Sequence, residues 1–197
     1  GDGYISDCTF IGNDQIDTDA IDYDEVVDGV IRNSTIEGFF GFNSDGIDLG
    51  EQSQNIHIEN CLINDCTDKG ISIGQSSTAL VENVTITNCN LGLGIKDLGS
   101  AEIDHVTFYS NVTGVACFEK NPGFGGGTAT ISNSILSNSS SSPISVDGSS
   151  VIEPLNCFYD TDTMPGTTNL WQNPLFEDPT NFDFHLQSGS PALMAGL

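Results

Sequence analysis

Hydrophobic and polar residues alternate along most of this chain in short runs, and the runs recur. Gly46-Ile47-Asp48-Leu49 returns as Gly70-Ile71-Ser72-Ile73, with Ile56-His57-Ile58-Glu59-Asn60-Cys61-Leu62-Ile63 between them. Such alternation is the period of a strand with one buried face. Gly, Asn, Ser and Asp join the runs, while Val, Ile, Thr and Phe fill them, a β composition. The pattern predicts two strands per turn of a chain that winds rather than folds back.

The winding has a marker. Asp7, Asn33, Asn60, Asn83, His105, Asn133 and Asn156 fall in one slot, at steps of 22 to 28 residues. After each comes a small residue and then a strand, as in Cys8-Thr9-Phe10 or Val84-Thr85-Ile86. Self-similarity at such a period marks a stack of repeats. A leucine-rich repeat has a similar period and a fixed Asn, but it needs a return limb with Leu at helical spacing, and the sequence has none. In a stack, identical slots lie one strand spacing apart, about 4.8 Å. Ile47, Ile71, Leu93, Val115 and Ile144 then form a continuous inward column. Asn at a turn tolerates left-handed backbone, and stacked amides can bond along the axis.

From about Tyr4 to Tyr159 these repeats resemble the right-handed parallel β-helix of the pectin-lyase-like superfamily. The resemblance implies an all-β chain: a right-handed parallel β-helix (solenoid) of about seven coils. The boundaries expected are residues 1–168 for the β-helix and 169–197 for a C-terminal capping tail. In that tail the repeat stops, and Asn173-Pro174-Leu175-Phe176 and Gly189-Ser190-Pro191-Ala192 place Pro at breaks between apolar pairs. A solenoid needs a cap over its terminal rung. The body, with Asn43-Ser44-Asp45-Gly46-Ile47-Asp48 and Asp68-Lys69-Gly70-Ile71-Ser72, is similar to β-helix regions of large secreted or cell-surface bacterial proteins. That likeness implies an extracellular or cell-surface location and neighbouring domains as partners. The opening Gly1-Asp2-Gly3 already reads as strand, so a mature chain or a module excised from something longer is expected.

Charge narrows the partners. The net charge is −24, with Arg32, Lys69, Lys96 and Lys120 the only permanent cations. Nucleic acid and anionic lipid both demand basic surface and are excluded as partners. Acidic polysaccharides are disfavoured unless metal ions bridge them. No run of apolar residues is long enough to insert into a membrane as a helix. The six cysteines fit the repeat rather than a disulfide framework, several falling in small or inward slots. Cys66 and Cys89 share a slot in adjacent coils, where aligned Cβ vectors suit a bridge poorly.

Setting the second strands in register stacks Asp22, Asp48, Ser72, Gly94, Ala116 and Ser145 on the outer face, and Asp19, Asp45, Lys69, Leu91 and Thr113 where the strands start. Asp19, Asp22, Asp45 and Asp48 therefore crowd neighbouring rungs, with Asp24 and Glu51 close by. Two unit charges about 5 Å apart repel by roughly 3 kcal/mol at an effective dielectric near 20. Such a cluster calls for a cation, a shared proton or a lysine, and hard carboxylate oxygens suit calcium. The four aspartates are thus the expected metal ligands. A catalytic reading uses the same place: Asn43-Ser44-Asp45-Gly46-Ile47-Asp48 resembles the Asn-Thr-Asp-Gly motif of polygalacturonase-type glycosidases, and Gly94-Ile95-Lys96 is similar to their Arg-Ile-Lys. The family's Asp-Asp pair and Gly-His-Gly are missing; Asn64-Asp65 and Asp68-Lys69 stand instead. Paired carboxylates are the minimum for glycoside hydrolysis, and a lyase needs a base. Asp45, Asp48 and Lys69 are the catalytic candidates. Phe39-Phe40-Gly41-Phe42 reads first as a core seal and second as a surface for stacking sugars. The sequence reading is an extracellular structural or binding module, calcium-stabilised and carbohydrate-binding, with a polysaccharide-active hydrolase or lyase as the alternative.

Overall fold

The structure, a computed structural model, describes residues 3–160 and 166–195. Gly1 and Asp2, which the repeat pattern places in the first strand, lie outside them. Each coil carries three strands rather than two, and Asn60 shows why. The alternation from Ile56 to Ile63 is unbroken in sequence, yet Asn60 has a φ of 53°. A residue in left-handed backbone turns the chain, so the run divides into the strands Ile56–Glu59 and Leu62–Cys66. The same happens at Asp7, Asn33, Asn83, His105, Asn133 and Asn156, whose φ values run from 48° to 57°.

The strands assemble into three parallel sheets. Sheet A has seven strands, from Tyr4–Ser6 to Val151–Leu155; sheet B has eight, from Thr9–Ile11 to Leu170–Trp171; sheet C has six, from Ile21–Asp24 to Ser142–Val146. The result is a β-solenoid of about seven coils. Between sheets C and A the corner needs two successive left-handed residues, as at Glu51-Gln52, Gln75-Ser76 and Asp97-Leu98. Those turns close with Ser53 N–H donating to Gly50 O at 3.1 Å and Ser77 N–H to Gly74 O at 2.9 Å. Positive φ at both central residues is type I′ geometry, which reverses the chain within two residues.

Identical slots pair across coils as the sequence register required. Ile21, Ile47, Ile71, Leu93, Val115 and Ile144 stack inside sheet C. Ile31, Ile58, Val81, Ile103 and Ile131 do so in sheet A. Ile36, Ile63, Ile86, Phe108 and Leu136 complete the core from sheet B. Cys61, Cys66, Cys89, Cys117 and Cys157 are buried in this core as free thiols; Cys8 is also free but exposed, in a first coil with a neighbour on one side. The Cys89 thiol and burial together push the Cys66 thiol far above its ordinary range.

Just past residue 169, Leu170–Trp171 pairs with Phe158–Tyr159 and adds a last strand to sheet B. Beyond it, Phe176–Asp178 and Asp183–Leu186 form an antiparallel hairpin. Phe176 and Phe184 meet Tyr109 edge-on, at 5.9 and 5.4 Å between ring centres. The tail thus runs back along the outer face of sheet B, bordering Thr85 and Thr107, and covers the aromatic residue that coil five turns outward. Phe39 is buried, but Phe40 and Phe42 are exposed, so only the first ring seals the core. Carboxylates pin the Gly-rich excursion after Phe118. Glu119 Oε1 accepts from Gly123 and Gly125 N–H, and Asp97 Oδ1 from Lys120 and Asn121 N–H, all within 2.8–2.9 Å.

Two substitutions test this architecture. Ile71→Asp places an unpaired charge where the side chain is 0% exposed, and it should cost several kcal/mol in chemical denaturation. At the corner, Asn60→Val should cost about 1–2 kcal/mol while Asn60→Gly stays near neutral, because only the branched side chain resists positive φ.

Candidate functional site

The outer face of sheet C gathers the sequence-predicted residues. Pairing sets Asp22 beside Asp48, Asp48 beside Ser72, and Ser72 beside Gly94. Where the strands start, carboxylates do backbone work. Asp19 Oδ1 accepts the Asp45 N–H at 2.6 Å, and Asp45 Oδ1 accepts the Lys69 N–H at 2.8 Å. Each aspartate therefore satisfies the amide of the next coil's equivalent residue, one rung along.

Two lysines lie across this face instead of pointing into water. Lys69 Nζ reaches both Asp45 oxygens at 3.3 Å and also donates to Asp68. Lys96 Nζ donates to Ser72 Oγ and sits 3.8 Å from Asp48 Oδ1. Lys69 and Lys96 are only 4% and 7% exposed, and glycine makes that possible. A Cβ at Gly94 would lie 2.8 Å from Lys69 Cδ, and one at Gly74 would lie 3.0 Å from Lys96 Cε. The glycines leave shallow troughs for the aliphatic stems, and the charged heads return to the acidic rungs. Lys69 thus bridges two carboxylates with its single charge.

Burial and charge set the protonation of the cluster. Burial pushes Asp45 up to about 6, against the pull of Lys69. Burial also raises Asp19, and for Asp22 the like charges of Asp24 and Asp48 add to it. Burial opposes the charge on Lys69, but Asp45 and Asp68 outweigh it and hold the amine above its ordinary value. For Lys96 burial prevails over the attraction of Asp48, and the amine is shifted down. Lys96 borders a cleft of about 140 Å³ that also includes Asp48, Lys120 and Asn121.

Of the predicted residues, Asp45 and Lys69 meet directly, Asp19 reaches Asp45 only through the backbone, and Asp22 and Asp48 stand side by side. Among the described residues, the four aspartates do not bring three ligand atoms within 4.8 Å of one another; His57, Glu59 and Glu82 do, on sheet A. Sequence reading left those three apart, although a signal was present. Glu59 and Glu82 each immediately precede a marker asparagine, so the repeat itself aligns them. The burial of Lys69 and Lys96 across this face had no such signal, since it depends on where two long side chains lie.

Asp45 makes a pH prediction. Its folded-state value lies above the ordinary 3.8, so its ionisation costs stability between about pH 4 and pH 6. Stability from this group is present at low pH and lost as pH rises through about 6. Asp45→Asn keeps an oxygen for the Lys69 amide and cannot ionise. Relative to the parent, the variant should therefore gain on the order of 3 kcal/mol between pH 4 and pH 7.5. A stability difference that stays flat across that range would contradict the burial of a charged Asp45.

The family comparison agrees with this architecture. No curated protein matches the chain. A solved structure described as the complex structure of XylC with xylose is similar at 18% identity and a TM-score of 0.45, over 76% of this chain and 22% of that one. The present chain therefore spans less than a quarter of that protein's length. A family model described as the right handed beta helix region matches residues 1–159. With the parallel coils and their register in view, the chain belongs to the right-handed β-helix family.

Proposed function

We propose that this protein is an extracellular structural and binding β-helix module that contacts uncharged carbohydrate along the corner leading into sheet C. The observation that carries the reading is Phe42, 79% exposed and three residues ahead of Asp45, with Phe40 exposed close by. Exposed aromatic rings beside polar groups are a recurrent mark of interaction surfaces. A flat ring suits the apolar face of a sugar, and neighbouring carboxylates suit its hydroxyls. The net charge of −24 turns away acidic polysaccharides and favours neutral ones. The module would work at the cell surface beside other domains of a longer chain.

Binding is favoured over turnover because Asp45 is buried with both oxygens held by Lys69. A calcium contribution falls to Asp22 and Asp48, since Asp19 and Asp45 already accept backbone amides. Two carboxylates supply a minority of the six to eight oxygens calcium takes, so water would complete the shell. One observation favours a second reading, a polysaccharide-active enzyme. Lys96 is buried, shifted toward the neutral amine and placed at a cleft beside Asp48, which is what a general base needs. In that reading Lys96 takes the part first given to Lys69.

A glycan array spanning neutral and uronic acid oligosaccharides, with and without calcium, separates these readings. Retention of neutral glycans without cleavage is expected, and Phe42→Ala should weaken it roughly tenfold or more. Products that vanish in Lys96→Met would move the assignment to the enzyme, and retention of no glycan would overturn both. For calcium, melting in EDTA should fall below melting with the ion present, by up to about 2.7 kcal/mol at a hundredfold excess over Kd. Asp22→Asn with Asp48→Asn should abolish that difference. Identical curves in EDTA, calcium and matched sodium chloride would remove calcium from the proposal.

A further inference from the structure

Sheet A carries a second cluster on its outer face, away from the sheet C residues. His57 and Glu59 lie on the strand Ile56–Glu59, and Glu82 on the neighbouring strand Thr78–Glu82. Parallel pairing sets Glu82 directly beside Glu59, and Leu80 beside His57. Like charges opposite one another on adjacent strands destabilise a sheet, so the pair calls for a positive partner. Arg32 approaches from the preceding coil, with Nη1 at 3.8 Å from Glu59 Oε1. That contact uses one oxygen and leaves Oε2 directed at the histidine.

His57 Nε2 stands 3.4 Å from Glu82 Oε2 and 3.9 Å from Glu59 Oε2. The nitrogen is screened from solvent and has no hydrogen-bond partner among the described residues. One donor atom from each of the three side chains lies within 4.8 Å of the other two. Tetrahedral zinc, with ligands at about 2.0–2.2 Å, holds neighbouring donors roughly 3.3–3.6 Å apart. The two nitrogen–oxygen separations, 3.4 and 3.9 Å, already lie close to that spacing. An imidazole nitrogen screened from solvent and without a hydrogen-bond partner makes, with the two carboxylates it faces, the donor set of a first-row divalent ion. Calcium takes oxygen ligands and has no use for the imidazole.

We propose that His57, Glu59 and Glu82 bind a zinc-class divalent cation, a site independent of the aspartates of sheet C. Three protein ligands leave a fourth position for water, the arrangement of zinc sites that keep one position open. His57 also borders a groove of about 500 Å³ lined by Asn55, Thr78, Leu80, Ser100 and Glu102, so the ion sits beside space a small ligand can reach. It would tie coil three to coil four and replace the Glu59–Glu82 repulsion with shared attraction.

The test uses metal-stripped protein titrated with Zn²⁺ by calorimetry and with Co²⁺ by visible absorption at pH 7.5. One ion per chain is expected, with the intense visible band of tetrahedral cobalt, and excess calcium should not displace it. His57→Ala and Glu82→Gln should each lower affinity roughly tenfold or more, while Asp22→Asn with Asp48→Asn leaves it unchanged. No uptake of either ion by the parent protein would overturn the site, whatever the variants do. Equal uptake in His57→Ala, with its circular dichroism intact, would overturn it as well, by placing the metal elsewhere. Loss of binding in the sheet C variant alone would assign the ion to the acidic rungs instead.

Discussion

Everything in this molecule depends on residues that hold positive φ at the corners of each coil. A parallel strand cannot return to its own sheet by a tight hairpin, so the chain must turn through a closed path and arrive one rung later. Asn60 and its equivalents make the turn from sheet A to sheet B within a single residue. Paired left-handed residues such as Gln75-Ser76 make the turn from sheet C back to sheet A. Because the corners repeat, the strands between them fall in register, and the inward isoleucines meet their own equivalents. Asn and Asp are tolerated there for the same reason that valine is not: a short polar side chain relieves the strain that a branched one adds.

Stacking has a second consequence, which shapes the surface. Any residue type repeated in one outward slot is placed about 4.8 Å from its copy. Apolar repeats gain from this, and charged repeats suffer. The fold answers the suffering differently on two faces. On sheet C, backbone amides and two buried lysines engage the aspartates, and glycines at 74 and 94 clear the troughs in which the lysine stems lie. On sheet A, Glu59 and Glu82 face each other with an imidazole nitrogen turned between them. Both arrangements leave a strongly acidic protein with local order among its charges.

The exposed aromatics fit the same economy of faces. Sheet B turns Tyr109 outward, and the tail hairpin covers it with Phe176 and Phe184. At the corner before sheet C, Phe40 and Phe42 are left uncovered within the chain. The contrast leaves accessible apolar surface at the corner that leads into the strand carrying Asp48.

The sequence by itself determined the winding, the number of coils and the register. Asp22, Asp48, Ser72 and Gly94, and likewise Ile47, Ile71 and Leu93, occupy matching places in the recurring second phrase of each coil, and main-chain pairing preserves that match. Its period could not reveal the third strand of each coil, because the turn at Asn60 lies in one backbone dihedral and leaves the alternation of side chains intact. Tertiary structure alone decided where long side chains and unrepeated segments went. Lys69 and Lys96 follow the space that glycines on neighbouring rungs leave, and the tail follows an outward tyrosine some seventy residues earlier. Those choices depend on contacts between residues far apart in the chain, with no period to record them. A repeat fixes what lies at the same slot on the next rung, and it is silent about side chains that leave their own slot.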